Sequence, residues 1–250
     1  MNKLHMVFRA IHIGAGFVGL VVFWIPVITA KGSTFHRLFG KIFVACAAVV
    51  IGSALFTCVA ILLDPFAFDE PGEDPRGQII LAQFFGSLLG VLAYLTLIPL
   101  ILGVRILRTR RNPERLATPL MRGLVAGEAG LGVAVAAFGA WRWRQEPSAS
   151  VFGLLIVLGL LALKSWNDHR RFLANPLPTP MAWWVRHMEF MLTCGIAFHT
   201  AFLVFGAGRM FGPYLSGAWR IVPWVLPTLL GVPLMWLWIR AYRAKFDNAS

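Results

Sequence analysis

Arg186–Phe205, RHMEFMLTCGIAFHTAFLVF, decides what kind of protein this is. As a helix rising about 1.5 Å per residue, it spans about 30 Å, the thickness of the hydrocarbon core of a bilayer. Yet it carries Arg186, His187, Glu189 and His199. Ionisable groups at that depth are costly, so they normally face a bundle interior and mark functional positions. The stretch predicts a membrane helix packed among others, and the rest of the chain is read by what it brings to this helix.

The composition agrees. The chain has 250 residues, of which 58% are hydrophobic and 14% charged, with a mean hydropathy of +0.71. Soluble chains carry roughly 25% charged residues. The apolar residues come in long runs rather than amphipathic stripes, which is the transmembrane pattern. The net charge of +12 is explained by topology, because Lys and Arg collect on the cytoplasmic side. The basic residues are dispersed among short loops, so no nucleic-acid partner is expected. Cys46, Cys58 and Cys194 lie inside apolar runs and read as small core residues, not as a disulfide framework or a metal site.

Seven spans follow from the run lengths: 8–30, 39–63, 79–104, 119–141, 149–165, 182–206 and 219–240. The first exceeds the ~7–15 apolar residues of a signal-peptide core, so it is read as a true span. The fifth only just reaches the required length, with Lys164 able to snorkel at its end. The loop 105–122 holds Arg105, Arg108, Arg110, Arg111, Arg115 and Arg122. Placing it in the cytoplasm puts Lys31, Arg37, Lys41, Lys164, Arg170, Arg171, Arg186, Arg240, Arg243 and Lys245 there too. The outside then receives Lys3, Arg9, Arg76, Arg142, Arg144, Arg209 and Arg220, with the acidic loop from Asp64 to Asp74. The expected fold is an all-α, seven-helix transmembrane bundle, one domain over 1–250, with the N-terminus outside and the C-terminus cytoplasmic. The loops are too short for a soluble catalytic domain. The segment 166–181 reads as an extended, Pro-rich loop, and Pro223, Pro227 and Pro233 predict kinks in the last span.

Four histidines fall at two levels. His12 and His199 lie about 6–11 Å below the outer face by helix rise, so they are expected to meet. His36 and His187 share the inner rim. Two histidine levels on opposite sides of a membrane is the layout of a di-haem b-type cytochrome with imidazole axial ligands. Gly14, Gly16, Gly19 and Gly195 lie close enough to admit a flat macrocycle. Against this stands the possibility that each His is polar glue between helices. His187 and His199 are themselves rotated by about 120° on an ideal helix and do not share a face. His5 and His169 read as solvated loop residues.

Two carboxylates are buried by the same depth count. Glu128 and Glu189 each sit about 10–13 Å from the cytoplasmic surface, with no basic neighbour one turn away at that depth. Such groups are protonated or paired. They are candidates for proton or ion relay, and Glu189 is expected to face the helix that carries Glu128. The tight basic loop from Lys31 to Lys41 offers Lys31, Arg37 and Lys41 to a lipid or quinone headgroup or another anion.

The spacing His12…Gly19, then Gly32-Ser33…His36-Arg37…Gly40-Lys41, resembles a family of uncharacterised bacterial multi-pass membrane proteins. His187-Met188-Glu189-Phe190-Met191 leading to Ile196-Ala197-Phe198…Thr200-Ala201-Phe202 is similar to the sixth-span signature of the same family. The resemblance implies a bacterial cytoplasmic-membrane protein and no established activity. His199 stands where that signature has a non-ionisable residue, which weakens the outer histidine pair.

There is no Walker loop, HExxH or GxSxG motif. No Asp lies within an expected span, as zinc hydrolases of the adiponectin-receptor type require, and the last span lacks the deep Lys of a retinal protein. The leading expectation is an electron-transfer protein with b-type haem held by His12, His36, His187 and His199, linked to quinone. The alternatives are a non-catalytic accessory subunit of a larger membrane complex and, third, a proton-coupled transporter or sensor using Glu128 and Glu189.

Overall fold

The structure is a computed structural model and describes residues 3–68, 70–146, 150–177, 181–207, 214, 219 and 221–247. Arg209 and Arg220, assigned above to the outer face, lie outside the described residues, as do Pro178, Thr179 and Pro180 of the Pro-rich segment. Among the described residues the chain is helical, with α1 Lys3–Ile28, α2 Thr34–Leu63, α3 Pro75–Thr109, α4 Pro119–Gln145, α5 Gly153–Ala174, α6 Ala182–Ala201 and α7 Val222–Asp247. Six of these helices are long and apolar enough to cross a membrane. The exception is α5, whose C-terminal half carries Lys164, Asp168, His169, Arg170 and Arg171. The protein is a multi-pass membrane protein in contact with the lipid bilayer. Its exposed large side chains, such as Phe17, Leu63, Leu160, Leu229 and Trp236, are those that lipid covers.

Local chemistry sets the helix ends. Thr118 starts α4 by accepting the Met121 N–H at 3.3 Å, with Pro119 in the first turn. Ser33 does the same for α2, its Oγ accepting the His36 N–H at 3.1 Å. Gly32, at φ +78°, supplies the left-handed turn between α1 and α2. The expected loop 166–181 is corrected at its first half. α5 runs on to Ala174 because nothing in Trp166–Ala174 breaks a helix, and it stops at Asn175, which precedes Pro176 and is forced out of helical geometry (φ −141°, ψ 77°). Pro223 is also corrected. It falls in the first turn of α7, where a missing N–H costs nothing, whereas Pro227 and Pro233 lie inside the helix. After α6 the chain widens into a π turn, Phe202–Gly206, in which the Ala207 N–H reaches the Phe202 carbonyl at 2.7 Å.

The helices gather into two compact units. The first comprises Met1–Ala15, Ala48–Ile98 and Asn112–Pro176. Within it α4 packs on α5 through small residues. A Cβ built on Gly132 would lie 2.8 Å from the Gly159 carbonyl oxygen, and one on Gly139 would lie 2.9 Å from the Phe152 oxygen. Close backbone approach through small residues is the usual basis of helix association in lipid, where apolar burial alone provides little drive. Leu88, Val91, Leu116, Phe152 and Leu155 fill the rest of this core.

The second unit comprises Gly16–Ala47, Pro99–Arg111 and Leu177–Ser250. Here α6 packs on α7 through Val185, Met188 and Ile239, with the Trp184 and Tyr242 rings tilted against each other, their centres 4.9 Å apart. Phe23 touches Phe43 and the imidazole of His199, and Phe43 touches Phe198. These rings occupy the space beside two of the glycines expected to admit a macrocycle. Gly195 lies against the Phe23 ring, and a Cβ on Gly19 would be 3.1 Å from Phe198. Both glycines therefore accommodate the protein's own aromatic side chains, which corrects that expectation.

Candidate functional site

The inner histidines are held by backbone carbonyls. His36 sits in the first turn of α2, and its Nδ1 lies 3.0 Å from the Pro26 oxygen at the end of α1. His187, in the first turns of α6, places its Nδ1 2.8 Å from the Gly103 oxygen of α3. A carbonyl only accepts, so each ring must donate there from Nδ1–H. In the neutral imidazole this leaves a lone pair on Nε2. Neither Nε2 has a hydrogen-bond partner among the described residues. His36 and His187 are thus two imidazoles of one unit, each oriented by its own backbone carbonyl.

Lys31 completes this corner and corrects one expectation. Its ammonium turns inward, donating to the oxygens of Pro26 at 3.0 Å, Val27 at 2.6 Å and Thr29 at 3.5 Å. It also lies 5.3 Å from the centre of the Trp238 ring. These carbonyls end α1 without intrahelical partners, so the cation serves as a C-cap. Burial pushes the Lys31 ammonium below its ordinary pKa. With its hydrogens spent on carbonyls, Lys31 is not a headgroup ligand. Arg37 and Lys41 of the same segment are exposed.

The outer pair is corrected. His12 bonds Ser53 of α2 through Nδ1 at 2.8 Å, while the Ser53 hydroxyl donates to Val49 O at 2.7 Å. His199 uses both nitrogens elsewhere. Its Nδ1 reaches Gly195 O at 2.7 Å, and its Nε2 accepts the Trp24 indole N–H at 3.1 Å. With its lone pair taken by the indole, His199 has none to offer a metal. The outer level loses one of its two proposed ligands.

The carboxylates each have a partner of their own. Glu189 accepts a hydrogen bond from Arg186, one turn away, at 2.7 Å. The side chain of Arg186 runs along the helix to reach it, which the depth count did not allow for. Glu128 is fully buried and lies 2.8 Å from His169 Nδ1 through Oε2, while its Oε1 accepts Ser165 Oγ–H at 3.2 Å. The expectation of a solvated loop for His169 is thereby overturned. The residue is helical and buried because α5 is longer than its apolar run. The missed signal was the spacing Ser165…His169, four apart and so on one helix face, opposite a carboxylate with no other partner. Among the described residues no group of three or more His, Cys, Asp or Glu is placed to hold a metal ion. Comparison with protein-family models, curated proteins and solved structures finds no match to this chain.

Proposed function

We propose that this chain is a single-haem, b-type electron-transfer protein of the bacterial cytoplasmic membrane, in which His36 and His187 would hold the haem iron. One observation carries the proposal: two imidazoles of one unit, each with Nδ1–H fixed on a backbone carbonyl and each with an Nε2 that makes no hydrogen bond among the described residues. This donor set fits haem iron, for which two imidazoles suffice and a third ligand from the protein is unnecessary. When bound, the group supplies reversible one-electron chemistry. What the chain supplies is orientation. The carbonyl of Pro26 sets the ring of His36, and that of Gly103 sets the ring of His187, so neither rotates away from its ligand position. A hydrogen bond to Nδ1–H also makes Nε2 a stronger donor. Arg37 and Lys41, exposed beside His36, are suited to attract the headgroup of a quinone or an acidic redox partner. The proposal is narrower than the expectation of two haems, since both nitrogens of His199 are engaged within the protein.

The test is the visible spectrum of the full-length protein purified from haem-replete cells, oxidised and then reduced with dithionite. Sharp bands of low-spin haem on reduction are expected. A colourless preparation ends the proposal.

A further inference from the structure

Glu128 and His169 make up a second polar site, independent of the histidines assigned above. Glu128, on α4, is 0% exposed, whereas the side chain of His169, on α5, is 11% exposed. They meet at 2.8 Å, and Ser165 Oγ bridges them at 3.2 Å from Glu128 Oε1 and 3.5 Å from His169 Nδ1. Hydroxyl and carboxylate face the same imidazole nitrogen. In a nucleophile–base–acid relay they would occupy opposite nitrogens, so this is not a hydrolytic triad. A buried carboxylate is tolerated only when protonated or paired, and the pair has one proton to place on either partner.

The surroundings favour exchange of that proton rather than a fixed charge. On α3, Tyr94 gives its hydroxyl hydrogen to Leu124 O at 2.9 Å, so that hydrogen is not spent on the carboxylate, although the phenol lies within reach of the Glu128 charge. On α5, Lys164 is tied to Asp168 at 2.6 Å, with both side chains largely exposed. On α4, Arg122 is exposed, six residues before Glu128. The hydrogen-bond partners of the carboxylate among the described residues are therefore one imidazole and one hydroxyl. Both side chains are buried, and the imidazole is the less completely buried of the two.

We propose that Glu128 and His169 form a proton-loading site inside the membrane, reached from the membrane surface through His169. A proton taken up by the imidazole is passed from Nδ1 to Glu128 Oε2. The N–H bond breaks, an O–H bond forms, and the ion pair becomes a neutral pair. Ser165 holds the second carboxylate oxygen during the transfer.

The experiment is an infrared pH titration of the full-length protein in bilayers, between about pH 5 and 9, the range that brackets ordinary imidazole titration. A carboxylic-acid C=O band should grow as pH falls, shift in frequency in Glu128→Asp and vanish in Glu128→Gln. In His169→Gln its midpoint should move by about tenfold or more in proton concentration, the scale on which a close charged partner acts. Glu128→Asp keeps a carboxyl group and covers the case in which Glu128→Gln does not fold. A Glu128 carboxyl that stays protonated or stays ionised across the range overturns the proposal, as does an unmoved midpoint in His169→Gln. Either result leaves the pair as a structural tie between α4 and α5.

Discussion

Replacing Gly159 by alanine should drive α4 and α5 apart. A Cβ at position 159 would lie 2.5 Å from the Gly132 carbonyl oxygen, 2.7 Å from Ala136 Cβ and 2.8 Å from Ala136 N. Ordinary carbon contacts are about 3.5–4.0 Å, so the overlap approaches 1 Å. Two of the three atoms met belong to the backbone and the third is a methyl group on it. No side chain can swing clear, so the helices themselves must move. Inserting one carbon into a packed site of this kind costs about 1–3 kcal/mol. The better helix propensity of alanine returns about 0.5–1 kcal/mol. The net expectation is a loss of about 1–2 kcal/mol, larger for Gly159→Leu. Gly130, on α4, is the internal control. A Cβ there meets nothing within 4 Å, so Gly130→Ala should be neutral or slightly stabilising. The assay is reversible unfolding of the solubilised full chain with a denaturing detergent, followed by circular dichroism. Stability of Gly159→Ala equal to that of Gly130→Ala would refute the close α4–α5 packing. A second readout is available because Ser165 and His169 lie on the same helix. Separation should lengthen their contacts with Glu128 and shift the carboxyl band described above.

Other consequences follow from named contacts. His36→Ala and His187→Ala should each abolish the low-spin haem spectrum, whereas His199→Ala should preserve it, since both nitrogens of His199 are already engaged; loss of the spectrum only in His199→Ala would reverse the ligand assignment. Glu128→Leu should destabilise by about 3–5 kcal/mol, because it strands a buried imidazole, and the double variant with His169→Leu should recover part of that loss in the same unfolding assay. Lys31→Met should cost about 1–2 kcal/mol through the uncapped carbonyls of α1, and an unchanged unfolding midpoint would show that the cap contributes nothing. Reporter fusions in the 105–118 loop and at the C-terminus should both report cytoplasm, and a periplasmic signal from either would reject the proposed topology.

How much of the site was legible in the sequence varied residue by residue. His36 and His187 could be singled out by counting from span ends, but the carbonyls that orient them, those of Pro26 and Gly103, could not. His199 was placed at a sensible depth but given the wrong partner, because nothing in its own helix points to the indole of Trp24. His169 was missed altogether. The apolar run of α5 stops near Lys164, but the helix continues, since no Gly or Pro interrupts it before Pro176. Lys31 looked like a free surface cation because its use depends on where the carbonyls of α1 end.

By itself the sequence determined that the chain is helical and that several of its helices are long and apolar enough to cross a membrane. Those properties depend on run length and on the rise of a helix, both of which are local. Only the tertiary structure decided which face of each helix turns inward, and so which residues meet: His187 with Gly103, Glu128 with His169, His199 with Trp24. In water an apolar stripe would have marked the inward face of each helix. In a bilayer the face toward lipid is as apolar as the face toward protein, so the rotation of a helix about its axis leaves little trace in its hydropathy. It is fixed instead by close packing, as at Gly132 and Gly159, and by hydrogen bonds between residues far apart in the chain.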